Sequence, residues 1–135
     1  MAHGLALEDI HSAVKRTINK EDVEGFVGLY AQNAHMVLPD GSTITGHEAI
    51  REQVIQVCAM KGRMTVTTRY IIEAGDLAIL SNKWTLTAGG ESMSAITAEV
   101  AQRQPDGGWL YIIDNPYAGP AGDAGTEAPA ATAAG

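Results

Sequence analysis

Asp114 closes the run "WLYIID", in which five apolar residues lead to a carboxylate and Asn115-Pro116 follows. Two chemistries suit that placement. A carboxyl desolvated at the end of an apolar strand has its charged form disfavoured, so it becomes a general acid or base near neutral pH. A carboxyl before Asn-Pro also suits an Asx-type turn, where it accepts backbone N–H groups. Tyr30 and Tyr70 are phenols of the kind that donate to a carbonyl oxygen, and equally are amphipathic core residues. Asn82 carries an amide that needs partners if buried, either Thr68 or a ligand.

Other chemistries find little support. The four histidines, His3, His11, His35 and His47, are dispersed, and Cys58 is the single cysteine, so no metal or other cofactor is expected. His47 and Glu48 open a helix, where Thr45 and Glu48 fit a capping box. Sixteen acidic against nine basic residues give a net charge of −7, and the basic ones form no stripe. Nucleic acid and anionic membrane surfaces are therefore poor partners. The start "MAHGLALEDI" lacks the pattern of a signal peptide, and no apolar run reaches bilayer-spanning length. A cytoplasmic protein is the expectation.

Hydrophobic periodicity supplies the elements that would position these residues. Leu7, Ile10, Val14 and Ile18 predict a helix over residues 6–18. Asn19 is an expected N-cap for a short second helix with Val23, Phe26, Val27 and Tyr30 on one face. A short strand follows at residues 34–38, then a third helix to about Met60 with Ile50, Val54, Val57 and Cys58 inward. From Gly62 the period becomes two. Four strands are predicted at 64–73, 77–87, 92–104 and 109–114, joined by short turns that force antiparallel neighbours. The Ala/Gly/Pro-rich segment 118–135 reads as a C-terminal tail behind a domain of residues 1–117. Three helices on one face of a curved antiparallel sheet is an α+β architecture.

Turn positions predict the register. Centring the turns at Gly75, near Gly89 and at Asp106 gives an inward face that includes Thr68, Tyr70, Leu80, Asn82, Trp84, Ser94, Ile96, Ala98, Leu110, Ile112 and Asp114. Asp114 then sits beside Ala98, which leaves room for a ligand, with Trp84 as wall. The outer face collects Arg69, Lys83, Glu99 and Arg103 together with Trp109, Tyr111, Ile113, Ile79 and Ile71. That much apolar surface predicts a homodimer through the open sheet face.

The order of elements, "GHEAIR" at the third helix and "QRQPDGGWLYIIDNP" closing the sheet resemble the SnoaL-like family. That family lies within the nuclear transport factor 2 and ketosteroid isomerase superfamily of cystatin-like cone folds. The resemblance covers residues 6–117. It implies a hydrophobic small-molecule pocket and, for relatives such as polyketide cyclases, an acid on the last strand, which Asp114 matches. An isomerase-type site adds a separate base, and an epoxide hydrolase an Arg between two acids. The predicted inward face offers no second carboxylate, and Arg69 points outward. Two functions follow. One is proton transfer on a hydrophobic carbonyl compound, with Asp114 catalytic and Tyr30, Tyr70, Asn82, Trp84, Thr68 and Ala98 binding it. The other is a non-catalytic ligand-binding or dimerisation module.

Overall fold

The computed structural model describes residues 4–121. A 3-10 turn, Leu7–Asp9, leads into α1 (Ile10–Asn19), then α2 (Val23–Val27), β1 (Tyr30–Val37), β2 (Thr43–Thr45) and α3 (His47–Ala59). Four long strands follow: β3 (Arg63–Ala74), β4 (Leu77–Ala88), β5 (Glu91–Arg103) and β6 (Trp109–Pro120). Together with β1 and β2 they form one six-stranded sheet in the order β2-β1-β6-β5-β4-β3. This is the expected α+β class, with one difference. The sheet is mixed, because β1 lies parallel to β6.

The helices cover one face, and their apolar stripes meet the inner side of the sheet. Ile10, Ala13 and Ile18 of α1, Phe26 and Val27 of α2, and Ile50, Val54 and Cys58 of α3 are buried in one core with Leu80, Trp84 and Leu86 of β4. Burying side chains of this size stabilises by roughly 1.5–3 kcal/mol each. Asp22, not Asn19, caps α2, its carboxylate accepting from the Gly25 N–H at 2.9 Å. Asn19 instead ties α1 to β3. Its amide donates to the Met64 carbonyl at 2.9 Å and accepts from the Met64 N–H at 2.7 Å.

The capping box at α3 does not form. Gly46 is the N-cap residue and no side chain caps it. Thr45 lies in β2, where its hydroxyl meets His35 Nδ1 at 3.0 Å. The ring of His47 donates from Nε2 to the Tyr30 carbonyl at 2.7 Å, which fixes the start of β1. Tyr30 thus begins a strand rather than ending a helix.

Three local irregularities set which residues face the helices. The β4–β5 loop is two residues, with Ala88 paired to Glu91. Both Gly89 and Gly90 have positive φ, 60° and 84°. That is the type I′ geometry whose twist matches paired strands, and glycine adopts it without steric cost. Its centre lies between the two glycines rather than on Gly89. All of β5 therefore moves by one residue, turning Ala98 out and Thr97 and Glu99 in. In β6 the register shifts between Tyr111 and Ile113, so Ile112 is the extra residue of a bulge. Tyr111 and Asp114, three apart, then both point inward. In β3 a shift between Thr68 and Tyr70 swings Tyr70 outward.

Strand β6 also continues past Asn115-Pro116, pairing Gly119 with Ile96 and Pro120 with Ala95. Residues 118–120 of the expected tail belong to this strand, and residues 122–135 of it lie outside the described residues.

Candidate functional site

A cavity of about 390 Å³ lies between the helices and the inner face of the sheet. Its upper wall is apolar, from residues such as Ile18, Phe26, Val54 and Val57, and Trp84 forms part of the sheet side. The Trp84 indole is fixed by its Nε1–H donating to the Pro116 carbonyl at 2.8 Å. Its polar end is built by β1, β4, β5 and β6, which bring Tyr30, Asn82, Glu99, Tyr111 and Asp114 to the lining.

Asp114 is 5% exposed, and its Oδ2 accepts a short hydrogen bond from the Tyr30 hydroxyl. Its Oδ1 has no partner among the described residues. The Asp114 carboxyl is pushed up to about 8, first by burial and then by the Glu99 charge, while the Tyr30 bond pulls it down. At neutral pH it is thus mainly the neutral acid. With Oδ2 occupied by Tyr30, its proton belongs on Oδ1. Tyr30 and Tyr111 pack with ring centroids 5.3 Å apart, and the Tyr111 hydroxyl also has no partner among the described residues. Burial, chiefly, holds both phenols well above their ordinary range.

Glu99 is the second carboxylate that the sequence reading placed on the outer face. It is 3% exposed and pairs directly with Asp114 across the β5–β6 ladder. Two donors hold it. His11 Nε2 is 2.9 Å from Oε1, and Asn82 Nδ2 donates to Oε2 at 3.0 Å. His11 is itself buried, and its Nδ1 meets the Thr68 hydroxyl at 2.8 Å. A carboxylate so deep in the core needs such partners, since an unpaired buried charge costs several kcal/mol.

Of the expected site residues, Asp114, Tyr30, Asn82 and Trp84 line the cavity, and Tyr70, Thr68 and Ala98 do not. The β3 bulge turns Tyr70 to the surface, where the Arg69 guanidinium lies 5.6 Å from its ring centroid. Thr68 meets His11 rather than Asn82 or a ligand. Ala98 faces out because β5 is moved by one residue. His11, Glu99 and Tyr111 are the residues the sequence reading missed. The signal for Glu99 and Tyr111 was present in the Gly89-Gly90 pair, which demands a two-residue loop. Asp114 is not an Asx-type turn former here: Oδ2 accepts from Tyr30, and Oδ1 accepts from no backbone N–H among the described residues.

The SnoaL-like domain family matches residues 12–111, and the chain belongs to it. No curated protein matches the chain. Solved structures share the fold at low identity. A ketosteroid isomerase-like protein from Erwinia carotovora atroseptica superposes with a TM-score of 0.66 at 16% identity, covering 82% of this chain and 91% of that one. A proposed dehydratase of the NTF2-like family from Streptomyces avermitilis gives 0.69 at 16% identity, over 81% and 90%. A proposed calcium/calmodulin-dependent protein kinase type II association domain from Thiobacillus denitrificans gives 0.72 at 16% identity, over 86% and 98%.

Proposed function

We propose that this chain binds a hydrophobic carbonyl compound in its cavity and moves a proton on it. The observation that supports this most is the buried Asp114 carboxyl, backed by Tyr30 on one oxygen and with the other oxygen unpartnered at the cavity. A neutral carboxylic acid there donates to a carbonyl oxygen, and the Tyr111 hydroxyl is a second donor. Such preorganised donors stabilise the oxyanion of an enolate. Glu99 is the base in this scheme. It accepts a proton from the carbon beside the carbonyl and returns it, and His11 and Asn82 hold its carboxylate in place. Deprotonating Asp114 removes the donor, so the rate falls as pH rises through about 8.

The test is enolisation of α-tetralone, a bicyclic ketone, followed as deuterium exchange beside the carbonyl. The wild type is expected to accelerate exchange, and Asp114→Ala to lose about a hundredfold or more, the usual effect of removing one oxyanion donor. Exchange that the protein does not accelerate, or that Asp114→Ala leaves unchanged, would sink the proposal.

A binding or assembly module is the second reading, and one observation favours it. Ile72, Ile79, Val100 and Ile113 are successive ladder partners across β3, β4, β5 and β6. The three isoleucines are exposed, and together they form an apolar row on the open face of the sheet. We propose that two copies of the chain associate through this row, with or without catalysis in the cavity. The similarity to a domain described as an association domain supports the same reading.

A further inference from the structure

The orientation of one amide says more about the ligand. Asn82 is 3% exposed and lines the cavity. Its Nδ2 donates to Glu99 Oε2 at 3.0 Å. A carboxylate only accepts, so this contact settles which end of the amide is which. The amide oxygen is therefore the atom left over, and Asn82 Oδ1 has no hydrogen-bond partner among the described residues. Buried acceptors are nearly always satisfied, and leaving one unpaired is costly.

Two further polar atoms are buried without partners, Tyr111 Oη and Asp114 Oδ1. The three differ in what they ask for. The phenol and the neutral acid donate, which suits a carbonyl oxygen. Asn82 Oδ1 can only accept, which a plain ketone does not answer. A ligand carboxylate or phosphate fits poorly as well, because no Lys, Arg or His side chain among the described residues lines the cavity. We infer that the ligand is a hydroxy-carbonyl compound, its carbonyl held by Tyr111 and Asp114 and its hydroxyl donating to Asn82 Oδ1. This rests on the carbonyl reading above and narrows it to one substrate class.

The rest of the lining concentrates selection at that polar end. Met36, Met60, Met64 and Met93 all contribute to the cavity wall. Methionine is unbranched and deformable, so such walls adapt to apolar bodies of different shape. A hydrogen-bond acceptor buried and fixed by Glu99 does not adapt. Sites of this kind reject analogues that lack the matching donor.

The experiment compares α-tetralone with its ring-hydroxylated derivatives and with aminotetralin, using tryptophan fluorescence or calorimetry to measure affinity. In the wild type, at least one hydroxylated ketone is expected to bind about tenfold or more tighter than α-tetralone, the effect of satisfying one buried acceptor. Asn82→Leu is expected to bring that ratio close to one. Asn82→Ala, which likewise offers the ligand no side-chain acceptor, is the second variant if the leucine fails to fold. Tyr111→Phe should weaken every ketone while the hydroxyl preference persists. If α-tetralone binds in a manner that depends on Tyr111, yet no hydroxylated derivative gains, this inference is wrong and the carbonyl reading stands. A gain that survives both Asn82 variants overturns it equally. Binding of aminotetralin in preference to every ketone, or of no ketone at all, overturns both.

Discussion

At Asp114 the local environment sets the chemistry. The same carboxyl in solvent ionises near 3.8, and here burial and the neighbouring Glu99 push it up to about 8. The groups facing it are Tyr30 from β1, Glu99 from β5, and Tyr111 and Tyr117 of its own strand. The helices add no charged side chain to the cavity, only apolar residues and Gln53 and Gln56. The folded state holds this proton while the unfolded chain has released it. Stability from this group is therefore greatest below about pH 4 and declines as pH rises to about 8. Asp114→Asn cannot ionise and should not show the decline. Melting temperatures of the two proteins across that range check the sign: the wild type should lose ground steadily to the variant. Parallel curves would mean a solvated carboxylate.

At the scale of elements, the site depends on where two strands are shifted by a single residue. The Gly89-Gly90 loop sends Glu99 inward, and the bulge at Ile112 brings Tyr111 to the same side as Asp114. Nothing lies within 4 Å of a Cβ placed on Gly90, whose φ is 84°. A side chain there meets no neighbour and is penalised only by the left-handed backbone. Gly90→Ala should therefore destabilise by about 1 kcal/mol, and Gly90→Asn by less, since asparagine tolerates that region. Urea denaturation of the two variants measures the difference. Equal stability of Gly90→Ala and wild type would argue against the type I′ loop and, with it, against the register that places Glu99 beside Asp114.

For the whole molecule, the open sheet face is the feature that a lone chain leaves unexplained. Ile72 is 59% exposed, Ile79 48% and Ile113 44%, in one row across the sheet. Contiguous apolar surface of this kind marks an interaction site. A dimer is the expected state in sedimentation, and Ile79→Glu should convert it to a monomer, because paired copies would bury the charge. The cavity is on the opposite face, so ketone binding should survive that change. A wild type that stays monomeric at high concentration would remove the proposed association. No helix among the described residues is long and apolar enough to cross a membrane.

Much of this was legible in the sequence. Periodicities of 3.6 and 2 located α1, α3, β3, β4 and β5 to within a few residues, and the start but not the end of β6, because amphipathic patterning is a local property. The resemblance carried by "GHEAIR" and "QRQPDGGWLYIIDNP" gave the family, and the apolar run before Asp114 pointed to the acid. The tertiary structure decided the company that acid keeps. Side chains alternate across a strand, so a shift of one residue exchanges the two faces. One such shift turned Ala98 out and Glu99 in, a second put Tyr111 on the same side as Asp114, and a third turned Tyr70 out. His11 reached Glu99 across 88 positions of sequence, a contact that no local pattern encodes. Composition and period determine that a pocket forms under the helices. Register, fixed by two glycines and two bulges, determines which polar atoms meet inside it.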